Sequence, residues 1–386
     1  MSNLPLPSEE AQIQSRRLAD RIRDEIARAG GWISFSRYME MALYSPGLGY
    51  YGGGARKFGS GGDFVTAPEV TPLFGQALAA QTAQVMQASD SWIVEIGAGT
   101  GILAADILQE LERLEKLPAQ YAILELSGEM RDRQRQTIEQ QIPHLAGRIT
   151  WLQQLPVHFS GVVIANEVLD AMPVQVVVRN EKGWWERGVE WGDDGFRWKD
   201  RSVQASLDEV LQTLDLPYCG SGEYVTEVNP AARAWMAAWA DALDAGALLA
   251  VDYGYPRPEY YSAARAHGTL QCFYRHHAHH DPFFWPGLND ITASVDFTAM
   301  AESAFDAGME IYGYTSQGQF LLNCGILQKL ALCGDPGSPG YIRAAKAVEK
   351  LTGPHEMGEI FKVLAVGKRI PSSLLGFTTG DRLHRL

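Results

Sequence analysis

The chain has 386 residues, 46% of them hydrophobic and 20% charged, with a formal net charge of −13. This composition is that of a globular protein of one large domain or two, and it denies nucleic acid the basic footprint that phosphate binding needs. No apolar run approaches the ~20 residues of a membrane span, and the four cysteines (Cys219, Cys272, Cys324, Cys333) lack the C-x-x-C spacing of a zinc knuckle, which fits a reducing compartment.

Residues 1–10 are polar and lack the apolar core of a secretory signal. The Arg-rich segment 8–29 admits two readings, an amphipathic presequence or a surface helix. Its interleaved acids Glu9, Glu10, Asp20, Asp24 and Glu25 favour the helix, with Leu18, Ile22 and Ile26 facing inward. The glycine-rich stretch 46–62 reads as a loop-like lid. Residues 63–71 follow as D-F-V-T-A-P-E-V-T, and a helix is predicted over 72–87. Strands and helices then alternate: a strand ending at Ile96, a helix over 102–116, a strand over 121–126, a helix over 129–141, and strands at 148–152 and 161–165. Such alternation predicts an α/β fold with a parallel sheet covered on both faces. After Pro173 the pattern changes to an antiparallel insertion, with strands at 174–179, 184–191 and 196–199. A strand at 223–228, a helix over 231–244 opened by Pro230, and a buried strand at 247–252 come next. The Pro/Tyr/His-rich stretch 254–290 is too long for an idle loop. A helix over 297–307, a strand over 309–315, a helix from 319 and a strand over 361–366 complete the chain. The expected division is 1–90 as a helical segment with lid, 91–173 as the core, 174–245 as the insertion plus a helix, and 246–386 as the remainder of the core sheet with the inserted loop 254–290.

Residues 93–103 read I-V-E-I-G-A-G-T-G-I-L. A buried strand carries Glu95 near its carboxyl end, and Gly97, Gly99 and Gly101 follow at a spacing of two before a helix begins with Leu103, Ala104, Ile107, Leu108 and Leu111. Alternating glycines at such a turn clear side chains from the place where a ligand lies closest to backbone. The dinucleotide fingerprint requires a third glycine where Ile102 stands, so a nicotinamide dehydrogenase is disfavoured. An acid followed by G-x-G-x-G is similar to the first motif of S-adenosylmethionine (SAM) methyltransferases, in which the acid serves the cationic amino-acid end of the cofactor.

Three further sites bear acids at predicted strand ends. Glu125 lies in I-L-E-L (123–126) about two dozen residues beyond Gly101, where an acid can accept both ribose hydroxyls or simply be solvated. Asn166, Glu167 and Asp170 lie in A-N-E-V-L-D-A-M-P, with the two acids one helical turn apart. Such a pair can grip a guanidinium through charge-assisted hydrogen bonds, or form a capping box. Asp252 in V-D-Y-G reads equally as a second carboxylate at the mouth or as a cap. The cluster R-H-H-A-H-H-D at 275–281 lacks a helical H-E-x-x-H and reads as surface histidines with no metal.

Seven blocks together resemble the MidA-type methyltransferases: G-D-F-V-T-A-P-E-V-T-P-L-F-G-Q (62–76), V-E-I-G-A-G-T-G (94–101), A-N-E-V-L-D-A-M-P-V (165–174), V-D-Y-G (251–254), D-I-T-A-S-V-D-F (290–297), T-S-Q-G-Q-F-L-L (315–322) and M-G-E-I-F-K-V-L-A (357–365). Ala67 stands where the family often has serine, and Met172 where it often has leucine. The resemblance implies a class I methyltransferase Rossmann-like sheet with an N-terminal helical and lid segment and a family-specific α+β insertion. It implies SAM as cofactor, held by Thr66, Glu95, Gly97, Gly99, Gly101, Glu125 and Asn166. It also implies that the blocks 63–69 and 166–170 line the cofactor and substrate cleft, and a protein arginine as substrate, in a respiratory complex I subunit as for the family's mitochondrial assembly factor. On that substrate Glu167, helped by Asp170 or Asp252, is expected to hold the guanidinium and localise its charge away from the attacking nitrogen. A small-molecule or other-residue methyltransferase and a SAM-binding assembly chaperone are the competing readings. The expected location is the bacterial cytoplasm, with the mitochondrial matrix as the alternative. The oligomeric state is left open, a homodimer being one expectation.

Overall fold

The computed structural model describes residues 4–53, 66–214, 222–371 and 373–386. The glycine-rich lid therefore falls largely outside the described residues, as do Cys219 and the first part of the 63–71 block. The described residues form two compact units, neither consecutive in sequence: those within 1–64, 170–232 and 257–294 make one, and those within 65–169, 233–256 and 295–386 the other. The expected stretches 1–90 and 246–386 thus each contribute to both.

The first unit opens with the helix Glu9–Arg28, capped by Ser8, whose hydroxyl accepts from the Ala11 amide at 3.3 Å. Leu18, Ile22 and Ile26, spaced by four, line one face and are buried as read from the sequence. They join Phe35, Tyr38, Val174, Val176, Val189, Cys272 and Ile291 in one core. Phe35 and Tyr38 lie on the helix Phe35–Tyr44, which the sequence reading did not assign. The antiparallel strands Gln175–Asn180, Gly183–Gly192 and Gly195–Ser202 form the expected insertion, extended by Tyr224–Val228. Ile33–Ser34 pairs with Val189 and Gly188. Gly188 is bare because the Trp32 indole crosses it: a Cβ there would stand 2.3 Å from that ring. The 254–290 excursion is tied down by Glu227, fully buried on the last of these strands. Its carboxylate accepts from the Thr269 amide (2.9 Å) and hydroxyl (2.9 Å) and from the Leu270 amide (3.3 Å).

The second unit contains the main sheet. Its seven principal strands are β1 (Trp92–Ile96), β2 (Gln120–Leu124), β3 (Ile149–Leu152), β4 (Phe159–Asn166), β5 (Leu243–Tyr255), β6 (Glu310–Ser316) and β7 (Phe361–Lys368). They lie in the order β6-β7-β5-β4-β1-β2-β3. The run from β5 through β3 is parallel, and β7 is antiparallel to both its neighbours. Helices α1 (Pro72–Ala88), α2 (Ile102–Arg113) and α3 (Gly128–Gln141) cover this sheet. Leu103, Ala104, Ile107, Leu108 and Leu111 of α2 pack into the large core with Ile93, Tyr121, Ile123, Val162 and Leu249. Strand order reverses between β1 and β4, the place where open α/β sheets bind ligands beyond the carboxyl ends of their strands. Among the described residues no helix is long and apolar enough to cross a membrane.

Candidate active site

The turn after β1 is built by backbone conformation. Gly97, Gly99 and Gly101 have φ of +60°, +52° and +85°, a region that costs any residue with a Cβ. The Gly97 amide donates to the Leu124 carbonyl at the end of β2 (3.2 Å), and the Gly101 amide donates to Ala98 (2.8 Å). Gly101 is the N-cap of α2 and makes no side-chain cap hydrogen bond to its first turn.

Glu125 stands just beyond β2. Its Oε1 accepts from the Ser127 amide at 2.8 Å and its Oε2 from the Gln134 amide nitrogen at 3.0 Å. Burial pushes its carboxyl above the ordinary value, and these hydrogen bonds oppose the rise. Thr66 precedes a short helix, Ala67–Val70, as its N-cap. In that helix Glu69 accepts from the Thr100 hydroxyl of the glycine turn at 2.5 Å.

Beneath the turn lie two buried acids. Glu95 accepts from the Tyr121 hydroxyl at 2.6 Å inside the core. Burial pushes its carboxyl up to about 7 against the Tyr121 bond, with Asp106 adding to the rise. Asp106 of α2 is also pushed up to about 7, first by burial and then by Glu69, and its Oδ2 has no hydrogen-bond partner. Both carboxyls therefore keep a proton in the folded chain at pH values where the unfolded chain has lost it. Their stabilisation is complete below the unfolded values, 4.5 and 3.8, and is lost as pH rises through about 7. Urea unfolding is expected to show stability falling between pH 4.5 and 7.5. The Glu95→Gln variant is expected to be flatter across that window by on the order of 3 kcal/mol at most. An unchanged slope would show that Glu95 does not titrate there.

A constrained residue follows the end of β4. Glu167 has φ +52°, uncommon for a residue with a side chain. Its amide donates to the Val251 carbonyl of β5 at 2.8 Å. Its Oε1 accepts from the Ala67 amide and from the Asn166 amide nitrogen, each at 3.3 Å. Asn166 Oδ1 is buried and has no partner. Asp252, on β5, is almost fully buried. Its Oδ2 accepts from the Val168 and Leu169 amides at 3.2 and 2.9 Å, and its Oδ1 from the Tyr253 amide at 2.9 Å. Through these bonds Asp252 pins the loop that presents Glu167.

Asp170 falls in the first unit and is described within it. It is buried, and its carbonyl accepts from the Ala293 amide at 3.0 Å. Asp170 and Asp290 both bear on Tyr51, whose hydroxyl donates to the Asp290 carboxylate at 3.0 Å. Burial first, then these two acids, raise the Tyr51 phenol well above its ordinary value. His277–His279 form a short strand in a hairpin with Gln271–Tyr274. Among the described residues no group of three His, Cys, Asp or Glu converges as a metal site.

A family model described as "Putative S-adenosyl-L-methionine-dependent methyltransferase" matches residues 77–315, more than half of the chain. The chain belongs to this methyltransferase family. A crystal structure from Burkholderia thailandensis bound to S-adenosyl-homocysteine matches the methyltransferase described here over the full length of both chains, with a TM-score of 0.95 and 50% identity. A native crystal structure from the same organism matches with 0.93 and 49% over the same extent. The Danio rerio protein arginine methyltransferase NDUFAF7, mitochondrial, is 30% identical over 88% of this chain and 84% of its own. Its Drosophila melanogaster homolog is 29% identical over 94% and 87%. The MidA-type resemblance and the class I fold thus stand, and SAM is the methyltransferase's cofactor.

The residues fit that group. A turn of glycines with positive φ, the Glu125 carboxylate held by Ser127 and Gln134, and the unpartnered Asn166 Oδ1 lie at the carboxyl ends of adjacent strands. Gln134, Trp151 and Asp106 escaped the sequence reading, whereas Glu69 closes the 63–69 block expected to line the cleft. Nothing in the polar run R-D-R-Q-R-Q-T marks one glutamine as buried.

Proposed function

We propose that this methyltransferase transfers a methyl group to a guanidino nitrogen of an arginine in a protein. SAM supplies an electrophilic methyl on a sulfonium. The remaining work falls to the chain: to hold the nucleophile in line, to exclude water and to manage the guanidinium charge. Glu167 is the residue assigned to that work. A carboxylate accepting from two guanidinium N–H groups localises positive charge on them and leaves the third nitrogen the better nucleophile. The observation that carries this reading is the left-handed backbone of Glu167, held by the Val251 carbonyl and by the loop that Asp252 pins. Strain maintained this way at a strand end is the mark of a side chain aimed for use. Asp252 acts by positioning.

Gly97, Gly99, Gly101, Glu125, Asn166 and Thr66 are assigned to the cofactor, with Glu125 taking the ribose hydroxyls. Glu95, bonded to Tyr121, is assigned to support of the turn from beneath rather than direct contact. The arginine target is supported by relatives named protein arginine methyltransferase at about 30% identity. The sequence blocks shared with the MidA-type family support a respiratory complex I subunit as the protein substrate. The scattered cysteines support a reducing location, which the bacterial cytoplasm and the mitochondrial matrix both offer; the relatives named mitochondrial support the matrix. A homodimer is the assembly to test by light scattering.

Native lysate treated with this protein and labelled SAM, then analysed by methyl-site mass spectrometry, is expected to gain methyl groups on arginine in one protein. Methylation confined to lysine, a terminus or a small molecule would overturn the arginine assignment.

A further inference from the structure

We propose that Gln134 is a positioning residue for the nucleoside half of the cofactor: it sets the Glu125 carboxylate and ties it to the glycine turn. The inference rests on the reading that Glu125 takes the ribose hydroxyls.

Gln134 lies on α3 in the least exposed class of residue, at 0%. Its amide is fully used. Nε2 donates to Glu125 Oε2 at 3.0 Å and to the Gly99 carbonyl at 3.2 Å. Oε1 accepts from the Trp151 indole N–H at 2.9 Å. The indole is a donor only, so the amide's orientation is settled by its partners. A primary amide alone among the side chains gives two donors and an acceptor from one planar group. Glutamate would set a second charge against Glu125, and leucine would leave the indole and the Gly99 carbonyl without this partner. The Gln134 Cα also walls the turn, 3.1 Å from where a Cβ on Gly101 would stand. One helix residue thus binds the acid after β2, the carbonyl of the middle glycine and the end of β3. Ser127 holds Oε1, Gln134 holds Oε2 and the Leu126 amide adds a third bond, so the carboxylate is fixed in one orientation at the end of β2.

The test is calorimetry with S-adenosylhomocysteine and with its 2′,3′-dideoxy analogue. In the wild type the dideoxy analogue is expected to bind at least tenfold more weakly. Gln134→Leu is expected to weaken S-adenosylhomocysteine about tenfold while leaving the analogue within twofold. In turnover the KM for SAM is expected to rise by a similar factor with kcat nearly unchanged. Equal losses for both ligands would show Gln134 to be only structural and overturn the proposal. A wild type that binds both ligands equally would instead overturn the role of Glu125. Should Gln134→Leu not fold, Trp151→Phe removes the indole N–H that orients the amide. It is expected to give the same ligand-selective loss at a smaller size, and equal loss for both ligands there would overturn the proposal too.

Discussion

Gly101→Ala is expected to weaken SAM binding about 100-fold and to destabilise the folded protein by roughly 2–4 kcal/mol. Two costs add. Gly101 has φ +85°, which costs alanine ~1 kcal/mol or more. The new Cβ would also stand 3.1 Å from the Gln134 Cα and 3.3 Å from its Cβ and carbonyl oxygen. Two of these three are backbone atoms, so α3 itself must move. That movement strains the Gln134 bonds to Gly99 and Glu125, and with them the cofactor cradle. Gly97→Ala is the control. Its φ is +60°, but its Cβ would meet only Val168 Cγ2 at an ordinary 3.5 Å. It is expected to lose only ~1 kcal/mol of stability. Its SAM affinity is expected to fall by more than that loss implies, because the room at Gly97 is left for a ligand. Urea unfolding and calorimetry measure the two effects separately. Equal stability for Gly97→Ala and Gly101→Ala would show that contact with Gln134 is not what keeps position 101 bare.

The glycine turn was legible because strand, acid, glycines and helix follow each other with nothing between them, and each demands a particular backbone. The alternation from Trp92 to Asn166 was legible for the same local reason. Strand ends were less so: β2 stops at Leu124, which leaves Glu125 on the loop that Ser127 closes, and β5 runs from Leu243 to Tyr255, well beyond its apolar run. The first unit was illegible as a unit. Ile33 pairs with Val189, a contact across more than 150 residues that leaves no periodic trace. Gln134 was hidden by its composition, since a buried glutamine looks like a surface one until three partners converge on it. Asp252 is legible as an acid at a strand end, but its bonds to the Val168 and Leu169 amides join segments more than 80 residues apart and leave no local trace. Glu95 shows the reverse: the motif marked it, while its direction depends on Tyr121 one strand away.

Glu167→Gln is expected to lower methyl transfer from labelled SAM on the order of 10²–10³-fold with SAM affinity within twofold of wild type. The substitution keeps length, shape and the acceptor that meets the Ala67 amide, so the loop and the cofactor cradle are left as they are. It removes the charge that holds a guanidinium and turns one acceptor into a donor, which faces the N–H groups of the substrate with another N–H. Loss confined to kcat would place the effect in the transition state, and a rise in KM for the protein substrate alone would place it in binding. Asp252→Asn is the second arm. It leaves Glu167 charged but weakens the bonds that hold Val168 and Leu169, and it is expected to cost less, about tenfold, with the loss spread over KM and kcat. Glu167→Gly relieves the left-handed backbone and is expected to raise stability relative to Glu167→Ala by roughly 1 kcal/mol, while both variants are inactive. That pairing separates strain from chemistry. If Glu167→Gln turns over at the wild-type rate with normal SAM affinity, the carboxylate at the end of β4 has no part in the reaction.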